Sequence, residues 1–383
     1  MPPRTESFGS ETLHVLADGS GAEARVAPVL GFNCLAFRTP VGDQTAHLIS
    51  SPASPDVWRQ RPTFTGFPIL SPYPGRHQVP FTWRGKHYAM EPNDRPGVAI
   101  HGIVAGAPWE TVDATATSIT GRFDSERVPD RESRWPWPFM LTATYTVEQG
   151  GLRLDLALEN RAGEPVPHLL GLHPYFPIRF TAASGAAPST MPTAEELAGP
   201  EPEKARETCE VFVLADELWE MKAGLGTGTI ERLDGIADLR GGRTVAALER
   251  EIPAPSGPGP FGDDAAVKGP RLPVLLYGKR AALRGPEAGT DPAEPFGVIS
   301  GIRDRASGIE ATLESSAGFG SLAIFFPPGR PFVSLEPRSA VSDALTLMND
   351  PRRLSTGVHP LEAGQTWKSW VRLYARPLRS TTS

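Results

Sequence analysis

The chain has 383 residues, with 38 Lys and Arg against 44 Asp and Glu and a formal net charge of −6. It therefore lacks the basic excess that nucleic acid or an anionic membrane surface attracts. Two cysteines, Cys34 and Cys209, are too few for a disulfide framework or a four-thiolate zinc site.

No run approaches the roughly 18 apolar residues of a membrane span, and the first twenty residues lack the apolar stretch of a secretory signal. A soluble, cytoplasmic protein is the expectation. The 41 prolines and 39 glycines are spread along the chain, which favours many short strands and turns over long helices.

In chain order, Val98-Ala99-Ile100 reads as a short strand ending at His101-Gly102. Thr142–Glu148 and Leu152–Asn160 alternate apolar and polar residues and are separated by Gly150-Gly151, the pattern of a β-hairpin with its leucines buried. Residues 181–207 are poor strand material. Within them Thr193 and Glu196 have capping-box spacing, which predicts a short helix over Thr193–Leu197. Ile252–Lys268 and Gly285–Pro295 are rich in Pro, Gly and acidic residues and read as loops. Strand patterns resume at Ile309–Leu313, Ser321–Phe326, Pro331–Leu335 and Trp370–Tyr374. Strands at this density predict an all-β sandwich or barrel. Residues 1–383 are expected to form one domain, with loop insertions near 181–207 and 252–295.

Four polar residues stand in stiff or apolar settings. His173 sits in Leu169-Leu170-Gly171-Leu172-His173-Pro174-Tyr175-Phe176, where an imidazole titrating near neutrality is held by proline and aromatic neighbours. Glu336 follows Pro331-Phe332-Val333-Ser334-Leu335 and precedes Pro337. Partial burial of such a carboxylate makes it a better base at neutral pH. Arg76 closes a Gly/Pro-rich run and offers a fork of donors for a hydroxyl or a carboxylate. His101 lies where the backbone must bend before Gly102. Each has a plainer reading: a structural histidine, a surface arginine after a turn, or a carboxylate paired with a neighbour such as Arg338. His168 and His173, five apart on strand-like sequence, point to opposite faces, which speaks against a shared metal. No Gly-x-Ser-x-Gly elbow, Walker loop or dinucleotide fingerprint is present.

Taken in order, these segments resemble the aldose 1-epimerase (galactose mutarotase-like) family. The resemblance rests on Gly66-Phe67-Pro68-Ile69-Leu70 with Pro74-Gly75-Arg76, on Ile100-His101-Gly102 with Pro108-Trp109, and on His173-Pro174-Tyr175-Phe176. It continues through Leu335-Glu336-Pro337 with Asp343-Ala344-Leu345 to Gly357–Gly364. It implies a large antiparallel β-sandwich with a few short helices in loops and a sugar site on one sheet. It also implies interconversion of the anomers of a free hexose with neither cofactor nor metal. Glu336 would be the general base, His173 the general acid, and Arg76 and His101 would bind the sugar. The family's sugar-binding aspartate has no clear counterpart between Asp238 and Arg303. Asp263, Asp264 and Asp291 are the candidates, and Leu272–Tyr277 is the strand that would occupy that place without an acid.

Two other readings stay open. One is a non-catalytic sugar-binding or sensing protein on the same scaffold. The other is an epimerase of a phosphorylated hexose, for which Arg84, Lys86 and Arg338 would supply positive charge. The expected partner in each case is a small-molecule sugar, bound by a monomer or homodimer.

Overall fold

The computed structural model describes residues 3–182, 191–251, 274–278 and 295–378. Strands dominate, and the helices among these residues are short. Three antiparallel sheets carry most of the chain. The first is a five-stranded meander from Arg4–Phe8 to Gln44–His47, paired in chain order.

The second has nine strands. Glu110–Ala114, Ser118–Asp124, Phe139–Glu148 and Gly151–Asn160 follow one another. Thr366–Pro377 comes next, then Ile309–Ser316, Pro295–Asp304, Cys209–Val213 and Arg243–Thr244. The predicted hairpin supplies its third and fourth strands, and Leu152, Leu154, Leu156 and Leu158 are all buried. Its turn lies one residue earlier than the glycine pair suggested. Glu148 pairs with Gly151, so Gln149 and Gly150 make the turn, with φ of 51° and 73°. Two consecutive left-handed residues match the twist of the flanking strands, and Gly151 is then free to pair.

The third sheet, of eight strands, carries the site. Its order is Leu225–Arg232, Glu217–Lys222, Val274–Gly278, Ser321–Phe325, Phe332–Arg338, Gly171–Leu172 and Ile69–Leu70. Tyr175–Pro177 also pairs with Phe332–Arg338. Along Phe332–Arg338 the side chains alternate. Val333 and Leu335 join the main core with residues of the nine-stranded sheet, such as Leu156 and Val371, while Ser334 and Glu336 take the other face. The result is the expected antiparallel sandwich, and among the described residues no barrel closes.

The helix read from Thr193 and Glu196 is present at Ala194–Ala198. Thr193 accepts from the Glu196 N–H, and the Glu196 side chain accepts from the Thr193 N–H, the reciprocal capping box. A second helix, Pro202–Thr208, follows it. The loops read over Ile252–Lys268 and Gly285–Pro295 lie outside the described residues, except for Pro295 itself. Val274–Gly278, from the run Leu272–Tyr277, is a strand between Glu217–Lys222 and Ser321–Phe325.

Candidate functional site

Backbone pairing brings the sequence motifs together. The His173 N–H donates to Pro68 O at 2.9 Å, and the Tyr175 N–H donates to Gly66 O at 2.9 Å. The Gly-Phe-Pro segment therefore holds the His-Pro-Tyr-Phe segment in place. On its other side Tyr175 pairs with Ser334, and Gly171 pairs with Arg338. Between these two pairs Leu172 stays paired with Ile69, and His173-Pro174 interrupts the pairing with Phe332–Arg338. Pro337 sits within that interrupted stretch, a place where a residue lacking an N–H can be accommodated. The strand runs on through Pro337 to Arg338, so Glu336 is an interior strand residue and not the strand end expected.

The same interruption sets the imidazole of His173 beside Glu336, with Nε2 3.3 Å from Oε1. The other carboxylate oxygen of Glu336 accepts from Arg338 Nη2 at 2.5 Å, and Arg338 Nη1 donates to Ser342 Oγ at 2.8 Å. Glu336 is only 1% exposed. The neighbour foreseen for it, Arg338, is thus present, together with a histidine on the opposite oxygen. Tyr175 stacks on the His173 ring with centroids 4.6 Å apart and planes within 4°. The Pro174-Tyr175-Phe176 run therefore fixes the angle of the imidazole, as its rigidity suggested. Burial pushes His173 down to about 4. The Glu336 carboxylate acts against that shift, and Arg338 adds to it.

His101 faces His173 edge-on, with ring centroids 5.4 Å apart. It follows the Val98–Ile100 strand in a left-handed conformation, φ 61°, and two bonds tie it to Gly75. Its N–H donates to Gly75 O at 3.1 Å, and its Nδ1 accepts from the Gly75 N–H at 3.2 Å. A ring nitrogen that accepts from a backbone amide carries no hydrogen. Burial, with His173 and Arg338 nearby, holds His101 well below the usual range, so it is neutral and its donor is Nε2–H. The turn is completed by Gly102, φ 69°, where a Cβ would lie 2.0 Å from Ser71 O.

Arg76 opens the Arg76–Gln78 strand, which pairs with Val98–Ile100. Its guanidinium grips Asp94 in a bidentate bond, with Nε to Oδ2 at 3.0 Å and Nη2 to Oδ1 at 3.2 Å. Asp94 also accepts from Arg95 Nη1 at 3.1 Å. Behind Arg76, Asp343 is a buried hub. Its N–H donates to Arg76 O, and its carboxylate accepts from the Gln78 N–H at 2.8 Å and from Gln78 Nε2 at 2.6 Å.

All four residues singled out in the sequence line one cavity of about 280 Å³. Asp94, Tyr175, Phe325 and Arg338 share it, and Met221 and Gly224 close one side. Sequence reading passed over Asp94 and Ser334. Asp94 lies in the Pro-rich turn Glu91-Pro92-Asn93-Asp94-Arg95-Pro96, which has no periodicity to mark it. Ser334 had a signal, since two residues before Glu336 on a strand is the same face. Asp263, Asp264 and Asp291 lie outside the described residues. Arg84 and Lys86 are elsewhere, on a separate hairpin beside Glu362 and Glu164. Among the described residues no cluster of three His, Cys, Asp or Glu side chains could hold a metal ion. No helix there is long and apolar enough to cross a membrane.

The arrangement can move protons. A carboxylate and an imidazole stand side by side, a neutral imidazole donor stands opposite, and two guanidiniums frame them in a pocket the size of a small polar molecule.

Residues 13–192 match the family model described as aldose 1-epimerase. The uncharacterized protein YihR of Escherichia coli K12 is 26% identical over 178 residues, 40% of this chain and 56% of its own length, so the match spans little more than half of that relative. Among solved structures, a galactose mutarotase-like protein from Clostridium acetobutylicum superposes with a TM-score of 0.73 at 17% identity, covering 98% of both chains. The GalM/aldose epimerase homologue from C. elegans gives 0.69 at 14% identity, covering 97% of this chain and all of that one. At these identities the structures establish the shared fold. The chain thus matches the aldose 1-epimerase family model over residues 13–192, a little under half of its length, and shares the galactose mutarotase-like fold over nearly all of it.

Proposed function

We propose that the protein is an aldose 1-epimerase that interconverts the α and β anomers of a free hexose. The observation that carries this reading is the contact between Glu336 and His173 at 3.3 Å inside the cavity that Arg76 and His101 also line. Mutarotation needs a proton taken from the C1 hydroxyl and a proton given to the ring oxygen O5. Both oxygens are bonded to C1, so a base and an acid that are neighbours suit them.

Glu336 takes the hydroxyl proton while His173, in the imidazolium form that burial makes the minor one at neutral pH and that the adjacent carboxylate favours, gives one from Nε2 to O5. The C1–O5 bond breaks as the C1=O bond forms, giving the open-chain aldehyde. Rotation about C1–C2 presents the other carbonyl face. Closure runs the same transfers backwards and returns both protons. The neutral Nε2–H of His101 and the guanidinium of Arg76 are placed to hold sugar oxygens as charge develops on them. Acid–base help of this kind contributes typically about 10²–10⁴-fold, and mutarotation in water is slow but not blocked, so nothing heavier is required.

The reading as an epimerase of phosphorylated sugars is weaker. Of the three cations that would favour it, only Arg338 lines the cavity, and it is engaged by Glu336 and Ser342.

Polarimetry on freshly dissolved α-glucose and α-galactose, with the 6-phosphates alongside, is the test. Glu336→Gln and His173→Asn are each expected to lose about 10²-fold or more. Full activity in Glu336→Gln would remove the assigned mechanism. Sugar binding by calorimetry without any catalysed change in rotation would make the protein a binding module instead.

A further inference from the structure

Ser334 is fully buried at the Nδ1 edge of the His173 ring, on the same strand face as Glu336. Its hydroxyl oxygen lies 2.8 Å from His173 Nδ1 and 2.8 Å from the carbonyl oxygen of Pro174. A serine has one hydrogen to donate, and a carbonyl can only accept. The Ser334 hydrogen therefore goes to Pro174 O. A lone pair of Oγ then faces Nδ1, and the hydrogen in that contact must come from the imidazole. On the opposite edge of the ring, Nε2 meets Glu336 Oε1 at 3.3 Å and the Tyr175 hydroxyl at 3.4 Å.

We propose that Ser334 is a positioning residue that keeps a hydrogen on Nδ1 of His173 and thereby confines the mobile proton to Nε2, the nitrogen beside Glu336. This rests on the mutarotase reading, because only proton transfer to a sugar gives the choice of nitrogen a catalytic use. It supplies what that mechanism otherwise lacks. If Nδ1 were the bare nitrogen, the neutral ring would carry its hydrogen on Nε2, and donation from there would leave an imidazolate. With Nδ1–H fixed, each turnover moves Nε2 between imidazolium and neutral imidazole only.

The ionisable and polar groups around the ring are Glu336 and Arg338 on the Ser334 strand, Tyr175 on the neighbouring strand, and His101 from the turn after Val98–Ile100. Glu336 and Tyr175 meet the Nε2 edge, while Ser334 is the hydrogen-bond partner of Nδ1. A bond from Nδ1–H favours the protonated ring and opposes the effect of burial.

Two measurements decide the matter, and the first does not depend on activity. Nitrogen-15 NMR of the histidine-labelled full chain is expected to show His173 protonated on Nδ1 across neutral pH, with Nε2 as the nitrogen that titrates. In Ser334→Ala the Nε2–H tautomer should appear. A wild-type ring bare on Nδ1 overturns the proposal even if mutarotation is found. Conversely, a protein with no aldose activity but a fixed Nδ1–H loses the functional reading and keeps the tautomer assignment.

The second measurement is polarimetric. Ser334→Ala should lower kcat about tenfold, the order expected for one buried hydrogen bond, with little change in KM. Its alkaline limb should move to lower pH, and Ser334→Thr should restore both. An active wild type whose Ser334→Ala variant keeps kcat and pH profile also overturns it. Should Ser334→Ala fail to fold, Ser334→Cys, similar in size but a weak acceptor, takes its place with the same expected losses.

Discussion

Arg76 shows how one residue in this pocket depends on another it was not expected to need. Read from sequence, its fork of donors was free for a ligand. In the structure two of those donors hold Asp94, so the guanidinium reaches the cavity already oriented. Replacing Asp94 by Asn should loosen Arg76 and raise KM for the sugar about fivefold, with kcat nearly unchanged. Michaelis kinetics by polarimetry reads this directly. An unchanged KM would mean that the pairing holds nothing the sugar uses. Site residues were legible where chemistry and constraint coincide. His173 and Glu336 stood out as polar groups in stiff apolar strands. Asp94 did not, because an acid in a Pro-rich turn looks like solvated surface until its partner, 18 residues away, is seen to be Arg76.

Elements were legible wherever the period of two was long enough to speak. The hairpin of Phe139–Glu148 and Gly151–Asn160 needs ten residues a side, and its leucine face is the floor of the core. Truncating one of those leucines, Leu156→Ala, should cost about 2–5 kcal/mol, seen as a lower urea midpoint. The short element that carries His101 makes a different demand. Gly102 adopts φ 69° and packs its backbone on Ser71 O, leaving no room for a methyl group. Gly102→Ala should therefore lower both stability and mutarotation rate, because the turn that presents His101 cannot be kept. A variant with wild-type kinetics would show that the turn is more pliant than its geometry indicates. Three-residue strands such as Val98–Ile100 give almost no periodic signal, and only the His-Gly ending made this one readable.

For the whole molecule, the buried histidines set the response to acid. Burial holds His47, His168 and His173 down to about 4 and His77 down to about 3, against an ordinary value near 6.5. Below about pH 6.5 the unfolded chain binds these protons while the folded chain does not. Stability is thus fully present above that pH and is lost as pH falls toward 4, by at most about 1.4 kcal/mol per pH unit for each histidine. Urea midpoints measured from pH 7 to pH 4.5 should fall steadily, and a flat series would show that the burial of these rings costs little. This scale was also where sequence said least. The nine-stranded sheet places Thr366–Pro377 between Gly151–Asn160 and Ile309–Ser316. Alternation marks which face of a strand is buried but carries no record of which distant strand lies beside it.

The strand Phe332–Arg338 has neighbours on both edges: Ser321–Phe325 along one, and Tyr175–Pro177 and Gly171–Leu172 along the other. It is no rim on which loops assemble a pocket. Amide hydrogen exchange should show the consequence. The Ser334 and Glu336 amides should exchange only through near-global opening, far more slowly than those of the turn around Asp94. The proton-transfer pair would then keep its spacing for as long as the molecule stays folded, and sugar entry would fall to the looser segments around the pocket.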